Sequence, residues 1–431
     1  MAIAKAQACV LGVLDNGWEG LAPWQQQIVA HAEVVIAGHR ILAMFRDHCP
    51  ATTIYHDLTG HLNDVPRWIE TALAHKQQVV VLATGDPLCH GIGSYLAKKL
   101  GMERLHIIPQ ASALQWACAR FGIAWQNATI CSIHRQDTGE WDGQRSPNHG
   151  MYPLFRACCQ DDTIVVFTSP QNSPARIARM LLTEGLDDCF DMRVAESLLQ
   201  PDEQLIQGLS CAELATRTFA DLNMVVLQRT TPLSAVVRFG LDDSSFTQRK
   251  PEKGLITKRE VRAVSLAMMQ LQAQHTVWDI GAGSGAVGLE AARLCPDGWV
   301  YAIEKNHADV TIAEQNRQRM GIHHYTLVHG KAPDGIEAWP DPDAVFIGGS
   351  GGELADLIRL IVARLKTGGH LVMNFVTIEN LATATATLQT LAVQWQVTQM
   401  QVSRSKPILH MHRMAAENPV WIVTVISRYT K

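Results

Sequence analysis

The sequence lacks long apolar segments, long basic blocks and cysteine pairs of the CxxC pattern, and each absence argues against a class of protein. The longest apolar stretches, such as 79–83 and 420–426, have the length of a strand, whereas a membrane-spanning helix needs roughly 20 residues. The net charge is −4 and no long run of lysine or arginine occurs, so broad electrostatic binding to nucleic acid is not expected. The ten cysteines form no CxxC pair. We therefore expect a cytoplasmic protein without membrane contact, nucleic-acid partner or metal site.

The composition is that of a compact folded protein with more than one domain. The chain has 431 residues, of which 47% are hydrophobic and 18% are charged. Nine of the ten cysteines precede residue 232, and the stretch that follows is rich in charge, serine, proline and glycine. The sequence therefore predicts a first domain over 1–230, a linker over 231–253 and a second domain over 254–431.

Both predicted domains alternate short β-branched runs with segments of helical period. Examples of such runs in the first domain are 34–38, 78–87 and 163–170, and the apolar N-terminal stretch is interpreted as its first strand. Strand and helix in alternation predict an α/β fold with mainly parallel pairing. We expect two α/β domains in tandem.

A glycine-rich turn, DIGAGSGAVG at 279–288, lies between a buried strand and a helix-like segment. Three glycines at this spacing let a ligand approach the backbone closely. Glu304 ends the next strand, and a carboxylate at this position can accept hydrogen bonds from the hydroxyl groups of a ribose. A dinucleotide site is the rival interpretation, but the acid before the turn and the loop after the sheet favour S-adenosylmethionine (SAM). The predicted cofactor-binding residues of this domain are Asp279, Gly281, Ala282, Gly283, Ser284, Gly285 and Glu304.

A second glycine-rich loop follows the strand that begins at Asp343 and includes Gly348 and Gly349. SAM methyltransferases usually place the methyl acceptor at such a loop. The loop has no D/N-P-P-Y string, which argues against methylation of amino groups on bases or glutamine. A different acceptor is therefore expected.

The motifs of both halves resemble known methyltransferase families. VWDIGAGSGAVGLEAARL, DAVFIGGSGG and the tail RSKPILHMHRMAAENPVWIV are similar to the decarboxylating precorrin C15-methyltransferases of cobalamin biosynthesis. EVVIAGHR, VVVLATGDPLCHGIGSYL and IIPQASALQWACARFGIAWQNATICSIH resemble the tetrapyrrole methylase family. In this order, the halves resemble the bifunctional, decarboxylating precorrin-6B C5,15-methyltransferases.

The resemblance implies a fold and an activity for each half. It implies an N-terminal two-lobed tetrapyrrole methylase fold and a C-terminal Rossmann-like class I SAM methyltransferase fold, with one SAM site in each. The implied reaction methylates C5 and C15 of a precorrin and decarboxylates its C12 acetate. The implied SAM-binding residues of the first half are Thr84, Gly85, Asp86, Pro87, Gly91 and Ile92. Leu14 stands where this family has a glycine.

A precorrin carries many carboxylates, so cationic and hydrogen-bonding side chains are expected around it. If the C-terminal tail is extended, His410 and His412 project to one side.

The segment at 257–260 also reads as a T-x-x-E capping box, which is an additional explanation for the residues of that segment. No catalytic acid or base is assigned, because positioning is the expected mechanism. The predicted substrate-binding residues are Thr257, Lys258, Gly348, Gly349, Asn374, Arg404, Lys406, His410, His412, Arg413, His134 and Arg135.

Two other interpretations stay open at this point. One is a SAM-dependent methyltransferase of RNA or protein. The other is a protein that binds SAM or a tetrapyrrole and has one inactive domain, which the Leu14 departure makes conceivable. If the chain is a precorrin methyltransferase, its partner is a small-molecule tetrapyrrole substrate. The resemblance also implies a homo-oligomer.

Overall fold

The computed structural model of the chain describes residues 7–134, 137–143, 145–232, 237–249, 256–349 and 352–427. The contacts divide the chain into two compact units, Met1–Ser234 and Ala235–Lys431. Within the described ranges, no helix is both long and apolar enough to cross a bilayer.

The first lobe of the first unit is a five-stranded parallel sheet in the order β3-β2-β4-β1-β5. Its inner strands are fully buried β-branched runs, and helices cover both faces, as a parallel sheet requires. The elements are β1 Ala8–Val13, α1 Pro23–Ala30, β2 Val34–Ala37, α2 His39–Phe45, β3 Ile54–Asp57, α3 Val65–Ala74, β4 Val79–Thr84, α4 Ile92–Leu100 and β5 Leu105–Ile108.

The second lobe of this unit is a mixed sheet in the order β6-β7-β10-β8-β9. Only the β6–β7 pair is parallel, whereas the other neighbours are antiparallel. The prediction of mainly parallel pairing is therefore confirmed for the first lobe and wrong for the second. The elements are α5 Ala113–Phe121, β6 Thr129–Ser132, α6 Tyr152–Gln160, β7 Thr163–Phe167, α7 Pro174–Glu184, β8 Phe190–Glu196, β9 Gln204–Ile206, α8 Cys211–Thr216 and β10 Asn223–Arg229.

The second unit contains a seven-stranded sheet in the order β13-β12-β11-β14-β15-β19-β16. Five strands are parallel and β19 runs antiparallel to both of its neighbours. The order in which strands are added reverses between β11 and β14. Ligands of α/β sheets bind at such a switch point. The elements are α9 Arg259–Met268, β11 Thr276–Ile280, α10 Ala286–Leu294, β12 Trp299–Glu304, α11 His307–Arg319, β13 Tyr325–His329, β14 Ala344–Ile347, α12 Leu354–Arg364, β15 His370–Phe375, α13 Ile378–Gln389, β16 Gln394–Met400, β17 Ser403–Ile408, β18 Met411–Ala416 and β19 Val420–Ile426.

The sequence predicts a linker over 231–253, yet residues 237–249 fold onto the second unit. The backbone N–H groups of Gly240 and Leu241 donate to the carboxylate of Glu290 at 2.8 and 3.0 Å. Arg262 donates to the same carboxylate at 3.0 Å, and neither charged side chain of this pair is exposed. Because a buried ion pair is costly to break, this network holds the segment firmly.

Strands β17 and β18 form a separate two-stranded hairpin. Residues Leu409 and His410 make its turn, so His410 does not share a strand face with His412. The expectation that both histidines project to one side of an extended segment is therefore wrong. Lys406 pairs in register with Arg413, which places both on the hairpin face that also carries Arg404.

Candidate functional site

Two glycine-rich loops meet at the carboxyl ends of β11 and β14 in the second unit. Gly281, Gly283 and Gly285 have φ values of +74°, +55° and +78°, which only glycine adopts readily. A Cβ built at Gly281 would lie 2.6 Å from the carbonyl oxygen of Gly349. The two loops touch through their backbones, so a side chain here would displace one of them.

Two acidic side chains lie beside the first loop, in different environments. Oδ2 of Asp279 accepts from the N–H of Gly288 at 2.9 Å, while its buried Oδ1 has no hydrogen-bond partner among the described residues. Burial, together with the nearby charge of Glu304, raises the pKa of Asp279 to about 7. Glu304 accepts from the N–H groups of Gly283 and Asn306 at 2.9 and 2.8 Å. Asp279 therefore lies beneath the loop and holds the start of α10, whereas Glu304 lines the adjacent cavity.

These loops border a cavity of about 210 Å³. Asp279 and Ser284 are buried beneath the loop rather than in the cavity wall, and Ala282 and Gly285 shape the turn. Lys331, which also lines the cavity, joins Glu353 through an ion pair of 2.9 Å. The predicted residues that line the cavity are Gly281, Gly283, Glu304, Gly348 and Gly349.

The basic hairpin is fixed to α9 by an arginine predicted to bind substrate. Arg404 forms ion pairs with Glu260 and Asp243, the latter at 3.0 Å. The hydrogen bond between Arg404 and Glu260 raises the pKa of the arginine and lowers that of the carboxyl. Arg404 is thus neutralised within the protein, whereas Lys406, His410, His412 and Arg413 are exposed.

The start of α9 differs from the predicted capping box. Lys258, not Thr257, is the N-cap residue, and its side chain makes no capping hydrogen bond. Glu260 pairs with Arg404 instead, and the Thr257 carbonyl oxygen accepts from Arg262 at 2.6 Å. Asn374, on β15, donates to the Ser265 hydroxyl at 2.9 Å and so joins β15 to α9.

In the first unit a cleft of about 450 Å³ lies between the two lobes. Of the implied SAM-binding residues, Thr84, Asp86 and Gly91 line it. Pro87 is buried, and its carbonyl oxygen accepts from the N–H of Gly93 at 2.9 Å, so it supports the loop from behind. Ile92 packs into the apolar core of the first lobe.

Gly85 shows why this loop needs glycine. Its φ is +68°, and its carbonyl oxygen lies 2.2 Å from a Cβ built at Gly12. The two backbones are therefore too close for a side chain at Gly12.

Several polar residues of this cleft were not predicted as site residues. Asp15 and Arg40 form an ion pair of 2.5 Å at its edge, although they are 25 positions apart in the chain. Leu14 is only 9% exposed and packs inward, while its neighbour Asp15 lines the cleft. The ring of His134 bonds the Thr168 carbonyl oxygen at 2.7 Å.

Two of the predicted substrate-binding residues, His134 and Arg135, follow β6. His134 lines the cleft. Arg135 lies outside the described residues.

Comparison with known protein families matches each unit separately. The family "Tetrapyrrole (Corrin/Porphyrin) Methylases" matches residues 11–211, and the family "Precorrin methyltransferase domain" matches residues 251–426. A solved structure from Geobacter metallireducens, titled precorrin-6y C5,15-methyltransferase, is 38% identical. It is covered completely by 44% of this chain, with a TM-score of 0.42.

Two curated relatives cover different shares of the chain. The cobalt-precorrin-6B C(15)-methyltransferase (decarboxylating) of Salmonella typhimurium is 38% identical over 169 residues, which are 39% of this chain and 87% of the relative. The precorrin-6Y C(5,15)-methyltransferase [decarboxylating] of Sinorhizobium sp. is 30% identical over 384 residues, which are 87% of this chain and 86% of the relative. Because this likeness runs through both units, the chain belongs to the decarboxylating precorrin-6Y C(5,15)-methyltransferase family.

Proposed function

We propose that the chain methylates C5 of a precorrin with its first unit, methylates C15 with its second, and removes the carboxyl group of the C12 acetate. The observation that carries this proposal is the presence of two separate ligand-sized clefts on one chain, each built on a glycine-containing loop. The long Sinorhizobium relative spans both of the units that contain them.

SAM fits the residues of the second cavity. The carboxylate of Glu304 is held by two backbone N–H groups and retains lone pairs for ribose hydroxyls. Because Gly281 has no Cβ, its backbone packs against that of Gly349, and both residues line the cavity. SAM supplies a methyl group on a sulfonium, which is electrophilic.

A second SAM site in the first unit is supported by the loop at 84–91. Backbone groups dominate this loop, since Asp86 turns inward to accept from the N–H of Leu88 at 2.8 Å. The cleft also carries the Asp15–Arg40 ion pair and the imidazole ring of His134. We infer that these polar groups orient the tetrapyrrole, while the loop holds the cofactor.

The protein's part in both methylations is positioning and exclusion of water. A reduced tetrapyrrole provides its own carbon nucleophile, so the residues need to hold that carbon near the methyl group. We infer that Lys406 and Arg413, adjacent on one exposed hairpin face, pair with substrate carboxylates. Arg404 serves instead as the anchor of that hairpin. Decarboxylation requires one acetate to be desolvated while the other carboxylates stay paired.

The cellular setting follows from the same proposal. We infer a cytoplasmic enzyme that forms a homo-oligomer and acts on a metal-free precorrin. Apolar side chains on the hairpin support self-association, because Leu409 is 89% exposed and Met414 is 65% exposed. Sedimentation velocity would reveal the oligomer, and a single monomeric species would contradict it.

The test of the function is mass spectrometry of the tetrapyrrole after incubation with precorrin-6Y and SAM. Two methyl groups gained and one carbon dioxide lost is the expected result. A parallel incubation with the cobalt-containing precorrin shows whether the enzyme prefers the metal-free substrate. Failure to gain any methyl group from either substrate would overturn the proposal and favour a binding protein.

A further inference from the structure

The segment that precedes the second unit is clamped beside its cofactor cavity. The N–H of Thr247 donates to the side-chain amide oxygen of Asn316 at 2.8 Å, and the amide nitrogen of Asn316 returns a bond to the Thr247 carbonyl oxygen at 2.9 Å. Asn316 is fully buried on α11, and Phe246, one position earlier, is 97% buried against the same core. The chain position is thus fixed two residues before Arg249.

Arg249 itself lines the cavity, together with Glu304, Lys305 and Asn306. Its guanidinium forms an ion pair with Asp309, in the first turn of α11, at 2.7 Å. The carboxylate of this pair is mostly covered, with 14% of its side chain exposed, whereas 38% of the arginine side chain remains exposed. Asp309 therefore orients the arginine and offsets its charge at the edge of the cavity.

We propose that Arg249 forms part of the wall of the adenosine-binding half of this cofactor site. The inference rests on the proposed function, which assigns SAM to the cavity. In that proposal Glu304 marks the ribose end, and its carboxylate accepts from the N–H of Asn306, three positions before the Asp309 that holds Arg249. A guanidinium has five donors and a flat face, so pairing with one carboxylate leaves capacity to stack on a purine.

Calorimetric titration of the full chain with S-adenosylhomocysteine, the demethylated cofactor, tests this assignment. We expect Arg249→Ala to weaken one class of site by about tenfold and to leave the other unchanged. Arg249→Lys keeps the charge without the flat face and should restore only part of the affinity. Arg238→Ala is the matched control, because Arg238 is an exposed arginine of the same segment.

A second measurement separates ligand contact from a structural role. The KM for SAM in decarboxylation-coupled methylation should rise with Arg249→Ala, whereas the KM for C5 methylation and the melting temperature should not change. Asp309→Asn removes the orienting partner and should have a smaller effect than Arg249→Ala.

The outcomes distinguish this inference from the function on which it rests. Unchanged affinity at both sites in Arg249→Ala would overturn the inference while leaving the methyltransferase proposal intact. Absence of S-adenosylhomocysteine binding by the wild-type chain would overturn both.

Discussion

Individual glycines of this protein are explained by what their missing side chains would strike. A Cβ at Gly288 would lie 2.5 Å from Oδ2 of Asp279 and 2.8 Å from the ring of Tyr325. Helix α10 therefore packs directly on the buried acid, which a helix with any larger residue there could not do. The sequence shows the glycine, but not the neighbour that requires it.

Gly281→Ala should destabilise the second unit more than its matched control, Gly321→Ala. Both positions have positive φ, +74° and +64°, and both variants incur about 1–2 kcal/mol of backbone strain. Only the Cβ at Gly281 meets another backbone, since nothing lies within 4 Å of one at Gly321. We expect an additional loss of about 2 kcal/mol or more in the free energy of unfolding, measured by urea denaturation. Equal losses in the two variants would refute the close contact.

Asp279 should make the stability of the second unit depend on pH. Its pKa rises from the usual 3.8 to about 7 in the folded chain, chiefly through burial. Between these values the unfolded chain has released a proton that the native state retains, so the free energy of unfolding falls as pH rises and levels off above about 7. The full effect is on the order of 4 kcal/mol.

The variant Asp279→Asn lacks this titration. Denaturation of both proteins at several pH values between 5 and 8 should show the variant gaining stability relative to wild type as pH rises. Parallel pH curves would mean that Asp279 is ionised in the native state.

At the scale of elements, periodicity predicts strand and helix well but pairing poorly. The buried runs of β1, β2 and β4 and the glycine turn after β11 lie where the sequence places them. Runs of similar composition in β7 and β10 pair antiparallel, because the pairing direction depends on connections that composition does not encode. The charged segment at 237–249 looks like a linker since its partners, Glu290 and Asn316, are distant in the chain.

The hairpin of β17 and β18 should loosen when its anchor is removed. Arg404→Ala leaves Glu260 and Asp243 without their partner, which should cost about 1–2 kcal/mol because the group is only partly exposed. Trypsin should then cleave faster after Arg413. Arg359→Ala, which removes an exposed pair with Asp356 on α12, serves as the control and should change neither quantity appreciably. Unaltered cleavage in Arg404→Ala would show that the hairpin is held by other contacts.

At the scale of the whole molecule, two cleft-bearing units share one chain and use different loops. The loops of the second unit were predicted from glycine spacing and adjacent acids, whereas the loop of the first unit was implied only by the resemblance to tetrapyrrole methylases. Side chains such as Asp15, Arg40 and Arg249 were not, since each reaches its cleft through folding rather than through a motif.

The two activities should therefore be separable by single substitutions. Glu304→Gln weakens a charge-assisted contact in the second cavity and should lower kcat/KM for C15 methylation and decarboxylation by about tenfold to a hundredfold. Methylation at C5 should persist. The reciprocal variant, Asp86→Ala, removes the acceptor of the Leu88 N–H that shapes the loop of the first cleft, and it should affect C5 methylation alone. Mass spectrometry of the products gives both rates, and a joint loss in either variant would contradict independent sites.

The clamped segment at 237–249 also limits where the gene could be divided. A cut at residue 254, the boundary suggested by composition, would remove Phe246 from the core and the Thr247 backbone from Asn316. It would also strip the Gly240 and Leu241 donors from Glu290, a side chain with no exposed surface. A second unit expressed on its own would thus have to include residues 237–249, although composition assigns them to the linker.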